Sequence, residues 1–389
     1  MSIVNRKTKE KKPVLAICYD FDKTLSPDDM QAQGYIQAVF EGDVASFWQE
    51  SNEMAEENEM DTNLAYMYKM VKEAHGKIVL TRKSLEDYGA KVKLFDGVEE
   101  WFSRISTYGK ENGVIVEHYI ISSGLKEMIE GTSVGKAGVF EKIYASSFMF
   151  DDKDVPIWPA QVVNFTNKTQ FLFRIEKGIL DVNDSGVNDS FSPEELRVPF
   201  RNMVYIGDSD TDIPCMKLVN TYGGHSIGVY NEDTLDKSKV YKMLNDNRIK
   251  YFAPADYSEG SKLDKLVKAI IARTAANEAL ENIHYLCKSE YENDNKEGQS
   301  IRARNSKLSL IISLDGSKNF ATTHAIIKKL SDVKTWNEKE RDMLVNIALR
   351  NRQVRYIIND KDVKNFYETL LDGVDSSSEK IEELKSLFD

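Results

Sequence analysis

Two aspartates stand two residues apart at the end of an apolar run, in Asp20-Phe21-Asp22-Lys23-Thr24-Leu25. Side chains at i and i+2 of extended backbone share a face, so both carboxylates can serve one pocket. Ionised, Asp20 can attack phosphorus and form an aspartyl phosphate. Asp22 can protonate the leaving oxygen and then activate water. Two close carboxylates repel each other, so a cation is expected beside them. The bland alternative is a cluster of helix-capping aspartates.

Three further segments fit the same chemistry. In Tyr119-Ile120-Ile121-Ser122-Ser123-Gly124, small hydroxyls at a strand end are followed by amides entering a helix, which suits an anion. Alone, such serines are more often turn formers. Lys168 opens a helical pattern and can neutralise phosphate. Lys177, near the end of that pattern, is its competitor, and Lys168 is preferred because active groups gather where strands end and helices begin. In Tyr205-Ile206-Gly207-Asp208-Ser209-Asp210-Thr211-Asp212, a glycine permits close chain approach beside an acidic cluster. Asp208 suits a hard cation such as Mg²⁺, with Asp212 in support.

Taken in order, DFDKTL, IISSG, the helix-opening lysine and GDSDTD resemble the haloacid dehalogenase superfamily. Within it they resemble the phosphoserine-phosphatase-like branch, whose helical cap follows the first motif. The resemblance covers about residues 13–273, and the segment Ala255 to Gly260 looks like the closing stretch of such phosphatases. It implies Mg²⁺ held by the Asp20 carboxylate, the Asp22 backbone carbonyl and Asp208. Lys23 stands where glycine is commonest in the family, an accepted variant. Asp22 itself argues against a dehalogenase, since halide leaves without a proton whereas alkoxide needs one. Thr24 is expected to orient the motif loop through its hydroxyl.

The elements that must position these groups read as an α/β fold: a parallel, Rossmann-like sheet with an inserted helical cap and a small C-terminal helical domain. Apolar runs at 14–21, 116–123, 143–148, 203–207 and 225–230 alternate with helical patterns at 125–131, 168–178 and 260–273. Residues 27–93 interrupt the alternation with helices near 29–40, 43–58, 61–75 and 82–90. The segment 41–61 holds eight acidic residues and no basic one, which reads as a solvated helix face. The expected domains are a core of 13–26 plus 94–273, a cap of 27–93, a helix and polar linker over 274–306 with 289–306 as the linker, and a helical domain over 307–389. In that last domain Phe320, His324, Ile327 and Leu330 form one stripe, Leu344, Ile347 and Ala348 another, and Val363, Phe366, Tyr367 and Leu370 a third. Asp360 is expected to cap the third helix.

The chain has 389 residues, a net charge of −11 and 41% hydrophobic residues. The acidic balance argues against nucleic-acid binding, which normally needs a basic face. Cys18, Cys215 and Cys287 show no paired spacing and read as three buried thiols of a reducing compartment. No run is long enough for a membrane span, so a cytoplasmic location is expected, and the basic N-terminal tip reads as a solvated tail. The expected function is hydrolysis of a small phosphorylated metabolite. A phosphotransferase or mutase, in which a sugar hydroxyl replaces water, and a ligand-sensing regulator acting on a protein partner through its C-terminal helices are the alternatives.

Overall fold

The computed structural model describes residues 6–234, 236–294, 296–373 and 379–388. The chain divides into two compact units, Met1–Glu281 and Asn282–Asp389.

The first unit is built on seven strands: β1 Val14–Tyr19, β2 Ile115–Leu125, β3 Lys142–Phe150, β4 Pro156–Gln161, β5 Met203–Gly207, β6 His225–Tyr230 and β7 Tyr251–Pro254. They lie in the order β4-β3-β2-β1-β5-β6-β7, all parallel except β4, which runs antiparallel to β3. All six residues of β1 are buried, because apolar clusters cover both sheet faces. Leu15, Ile17 and Tyr19 point into one, and Val14, Ala16 and Cys18 into the other. β2, β3 and β4 lie to one side of β1, while β5, β6 and β7 lie to the other. Such a reversal leaves a crevice at the carboxyl ends of the strands on either side of it.

Two strands lie outside the sequence expectation. β4 contains Pro156 and Pro159 and exposes Ile157 and Trp158. Proline is tolerated there because β4 is an edge strand. β7 is only four residues long and half-buried, too short to show a period.

Four helices separate β1 from the rest of the sheet: α1 Tyr35–Val39, α2 Val44–Glu57, α3 Thr62–Ala74 and α4 Arg82–Gly89. Asp43 and Asp61 cap α2 and α3 by accepting backbone N–H groups. Two of the eight acidic residues in 41–61 are thus caps, and most of the others face solvent. Glu50 instead pairs with the buried Lys69. After α5, Val98–Glu111, the helices α6, Lys126–Gly131, and α7, Ser133–Lys136, follow β2. Helix α4 crosses α6 at backbone contact: a Cβ at Gly89 would stand 1.9 Å from the Met128 carbonyl oxygen, and one at Gly131 2.0 Å from that of Glu86. Only glycines permit this approach, which fixes the insertion to the core.

The remaining helices of this unit are α8 Thr169–Lys177, α9 Ile213–Thr221, α10 Ser238–Asn245 and α11 Lys262–Asp294, which runs past the unit boundary. α12, Lys296–Asp315, follows. The expected linker 289–306 is therefore helical at 289–294 and 296–306. Its residues are polar, but no proline occurs in 262–315, and Glu, Lys, Arg and Gln are good helix formers.

Two further expectations are corrected. Residues 6–10 are docked on the core: Arg6 makes a two-pronged pair with Asp184 at 2.5 and 2.6 Å, Lys7 reaches Glu117 at 2.7 Å, and Arg197 pairs with Glu10 at 2.5 Å. Acidic and arginine partners far along the chain give this segment its place; residues 1–5 lie outside the described residues. Cys18 and Cys215 are buried, but Cys287 is exposed.

The second unit packs α13 Phe320–Ser331, α14 Glu338–Arg350, α15 Arg352–Tyr356, α16 Lys361–Leu371 and α17 Glu379–Lys385 around one core. Two expected stripes are buried; in α13 the buried face is Thr323, Ile326, Ile327 and Leu330, with Phe320 and His324 at its rim. Asp360 stands at the start of α16 without making a side-chain cap, because its carboxylate turns to His324 Nε2 at 3.2 Å.

Candidate active site

The carboxyl ends of β1 and β5 bring three carboxylates together. Asp20 follows β1, Asp208 follows β5, and Asp212 returns over the turn after β5, with one carboxylate oxygen of each within 4.8 Å of the other two. Asp20 N–H donates to the Ile206 carbonyl at 3.0 Å, which holds the two strand ends in step. Gly207 is required by Asp212: a Cβ there would stand 2.4 Å from Asp212 Oδ2.

One buried cation serves this cluster. Lys168 precedes α8, is fully buried, and places its Nζ 2.8 Å from Asp212 Oδ1, 3.4 Å from Asp20 Oδ1 and 3.3 Å from the Thr211 hydroxyl. Burial opposes its charge, but Asp20 and Asp212 outweigh that and hold its pKa above the usual lysine range. Lys177 lies at the other end of α8, donating to the Val187 and Asp189 carbonyls at 2.7 and 2.8 Å.

The carboxylates differ in their surroundings. Asp212 is saturated: Oδ1 accepts from Lys168 and from the Tyr205 hydroxyl at 2.8 Å, and Oδ2 accepts from the Ser209 hydroxyl at 3.1 Å. Among the described residues, Asp208 has one ion-pair partner, Lys239 at 3.6 Å, with the charge of Lys23 acting on it more weakly. Burial first, and then Asp212 and Asp20, push Asp208 up to about 7. Burial and Asp212 also raise Asp20, while Lys168, the Phe21 N–H at 2.8 Å and the Ser122 hydroxyl act against the rise. Asp22 accepts from the Met30 N–H at 2.8 Å, and burial, Asp29 and Asp20 lift its carboxyl well above the usual range.

The hydroxyls expected in the site are placed as follows. Ser122 is buried, and its Oγ accepts from the Gly124 N–H at 3.1 Å. Ser123 and Thr24 bury their hydroxyls without a hydrogen-bond partner. Among the described residues the anchor found at Thr24 is its backbone, not its hydroxyl. The Thr24 carbonyl accepts from the Tyr257 hydroxyl at 2.9 Å, and Tyr257 packs edge-on against Trp101. Lys23 has φ +57°, a left-handed conformation that glycine adopts freely, which accounts physically for glycine at this position.

Several supporting residues went unrecognised in the sequence. Tyr205 shares a strand face with Gly207, the residue Asp212 folds over, so the i, i+2 spacing carried its signal. Tyr66, on α3, donates to the Ser123 carbonyl at 2.7 Å and brings the helical insertion onto the second motif; no local pattern marks it.

The cluster suits a divalent ion. Its donors are hard oxygens, and it holds three carboxylates against one buried lysine. Asp20 and Asp208 are the residues fitted to bind directly, and Asp212, already saturated, to support them.

An uncharacterized protein of Borreliella burgdorferi is 29% identical over 294 residues, covering 65% of this chain and 95% of that one. Among solved structures, similarity extends to a HAD family hydrolase of Salmonella enterica serovar Typhi (16% identity, TM-score 0.44, 67% of this chain and 73% of that one). It also extends to a probable phosphoserine phosphatase of Vibrio cholerae (13%, TM-score 0.44, 69% and 67%). The profile of the haloacid dehalogenase-like hydrolases matches residues 17–217, just over half of the chain, from the strand that ends in Asp20 to the helix beyond Asp212. The chain belongs to the haloacid dehalogenase-like hydrolases.

Proposed function

We propose that the chain is a magnesium-dependent phosphomonoesterase of the phosphoserine-phosphatase-like branch, acting through an aspartyl phosphate on Asp20. The observation that carries the reading is the unequal treatment of the two motif carboxylates. Lys168 stands 3.4 Å from Asp20 and favours its ionised form. Burial and Asp212 still raise Asp20 to about 6; Asp22 faces only the more exposed Lys23 among the described residues, and burial, Asp29 and Asp20 lift it well above the usual range, which favours it as the proton donor. Two neighbouring carboxyls with different cation partners can divide the roles of nucleophile and acid.

In the first half-reaction an Asp20 oxygen bonds to phosphorus as the ester bond to the leaving oxygen breaks, and that oxygen takes the Asp22 proton. In the second, a water attacks the phosphorus and gives its proton to the Asp22 carboxylate. Inorganic phosphate leaves, and Asp20 is restored as a carboxylate. Lys168, Ser122 and the amides entering α6 hold the phosphoryl oxygens. When bound, Mg²⁺ at Asp20, the Asp22 carbonyl and Asp208 neutralises charge on the phosphoryl group, where electrostatics supplies most of the acceleration. The helices of 30–89 act as a cap, with Tyr66 on the Ser123 carbonyl, and suit a small phosphorylated metabolite. The buried thiols Cys18 and Cys215 favour a reducing, cytoplasmic setting. Among the described residues no helix is long and apolar enough to cross a membrane.

The test is acid-quenched turnover of a ³²P-labelled ester in Mg²⁺. Label should appear on the peptide that carries Asp20. Turnover with no acid-stable, hydroxylamine-labile label on that peptide would sink the covalent mechanism.

A further inference from the structure

The mouth of the site carries a cation that the hydrolytic scheme does not use. Lys239 stands on α10, beyond β6, and its Nζ lies 3.6 Å from Asp208 Oδ2; its side chain is 57% exposed against 11% for Asp208. Two other charged groups lie near. Lys23 is engaged by Asp29 at 2.9 Å. Asp236 is close to Lys239 but accepts the Ser238 backbone N–H at 2.9 Å. Among the described residues, Asp208 is the carboxylate within ion-pair distance of Lys239; the charge of Asp236 acts on Lys239 from farther away.

Counting charges shows why this pairing is unstable to metal. Asp20, Asp208 and Asp212 carry three negative charges against the single buried Lys168. A divalent cation on Asp20 and Asp208 completes the balance without Lys239. The ammonium then loses its nearest partner yet stays tethered at the mouth, where a phosphate ester must arrive with negative charge. A cation without a counter-charge at the rim of a cleft attracts such a ligand.

We propose that Lys239 is a tethered counter-ion with two alternating partners, Asp208 in the metal-free protein and an anionic oxygen of the substrate once metal holds Asp208. This rests on the phosphomonoesterase reading. The oxygen has two sources: the phosphoryl group being transferred, or a second anionic group on the alcohol.

The experiment uses the full chain, wild type, Lys239→Met and Lys239→Arg. Mg²⁺ is first titrated by calorimetry without substrate. Lys239→Met should bind it roughly 2–5-fold tighter, the size of one half-exposed ion pair; unchanged or weaker binding overturns the first partner. KM is then measured for p-nitrophenyl phosphate and for an ester whose alcohol bears a carboxylate. Equal rises in Lys239→Met, largely reversed in Lys239→Arg, assign the phosphoryl oxygen. A rise at least fivefold larger for the carboxylated ester assigns the second anion. Unchanged KM for both overturns the second partner. Wild-type protein that binds Mg²⁺ but turns over neither ester overturns the phosphatase reading and the second partner with it, a result distinct from normal turnover indifferent to Lys239.

Discussion

The sheet buries charge at both ends, and the two ends do it in opposite ways. At the carboxyl ends of β1 and β5, Asp20, Asp208 and Asp212 share Lys168, and Asp208 is pushed up to about 7 by burial and by its like-charged neighbours. Towards the start of β2, Glu117 is equally buried, yet it is saturated. Arg197 grips both its oxygens at 2.8 and 2.6 Å, Lys7 donates at 2.7 Å and the Tyr119 hydroxyl at 2.6 Å. Burial alone would raise Glu117, but Arg197, Lys7 and Tyr119 outweigh it and hold the carboxyl at about 2. The second cluster is complete and ties residues 6–10 to the sheet. The first lacks positive charge and room is left for it. An unfinished buried cluster costs stability, and proteins tolerate that cost where something must bind.

The sharpest way to test this division is to remove the unfinished end's chemistry. Asp20→Asn keeps the shape but cannot attack phosphorus, so turnover should fall to background with the melting temperature unchanged or raised. Asp22→Asn should cost about 10²–10⁴-fold on an alkyl phosphate, and less on an aryl phosphate in the first half-reaction, because that leaving group needs little proton donation. Steady-state rates for Asp20→Asn near wild type would remove the nucleophile assignment. Equal losses on both esters in burst kinetics would remove the acid assignment from Asp22. Chelation should stop hydrolysis and Mg²⁺ restore it; full activity in excess chelator would show that the acidic cluster works without a divalent ion.

The finished end should respond in stability and not in chemistry. Arg197→Met strands the Glu117 charge in the interior, with Lys7 as its remaining cation. Breaking a buried pair from one side costs about 3–5 kcal/mol. Denaturant unfolding should show that loss, while kcat per folded molecule stays at the wild-type value. A drop in kcat with stability intact would mean that the two ends are not separate in function.

Opposite signs are expected when one carboxylate at each end is neutralised. A carboxyl held at about 2 in place of the usual 4.5 stabilises the fold by on the order of 3 kcal/mol. Because the folded value is depressed, that stability is present above pH 4.5 and drains away as pH falls towards 2. Glu117→Gln should therefore lower the melting temperature at pH 7 and flatten the acid limb between pH 4.5 and 2. Asp208→Asn removes one of three like charges lying within 4.8 Å, so the metal-free melting temperature should rise by a few degrees, while the further rise that Mg²⁺ gives the wild type should be lost. Destabilisation by both substitutions would erase the contrast between the ends.

How much of this was legible follows from which contacts are local. The runs at 203–207 and 225–230 coincide with β5 and β6 because fully buried parallel strands are continuously apolar. The carboxylates and Lys168 were legible because each sits where an element begins or ends, and Ser122 because it lies where the β2–β3 register shifts. β4 was hidden by its prolines and exposed Trp158, and the helical character of 289–306 by its polarity. The clamp of Arg197 on Glu117 and Glu10, and the reach of Tyr66 to Ser123, join residues 80, 187 and 57 positions apart. No window of sequence contains both partners. Lys239 is a lysine among lysines until β6 and α10 carry it to Asp208.

The smallest effect belongs to a third charged cluster, at the surface of the C-terminal unit. His324 on α13 faces two carboxylates at the start of α16, with Nδ1 2.8 Å from Asp362 and Nε2 3.2 Å from Asp360. Both ring nitrogens can donate only when the imidazole is protonated. Its pKa is raised, chiefly by the Asp362 hydrogen bond, with burial opposing and the charges of both aspartates adding to the rise. A raised folded value means that the stabilisation is fully present below the unfolded pKa and fades as pH climbs through the folded one. His324 is a third exposed and its two aspartates about half exposed, so water and salt screen the pair and the effect is small. Unfolding of the full chain, followed by hydrogen exchange on peptides from α13 and α16, should show slightly faster opening at pH 8.5 than at pH 5.5. His324→Gln should be indifferent to that change, and added salt should shrink the wild-type difference. Equal pH dependence in wild type and His324→Gln would assign the change to another group, and leave the buried pairs of the sheet as the charged clusters that matter to stability.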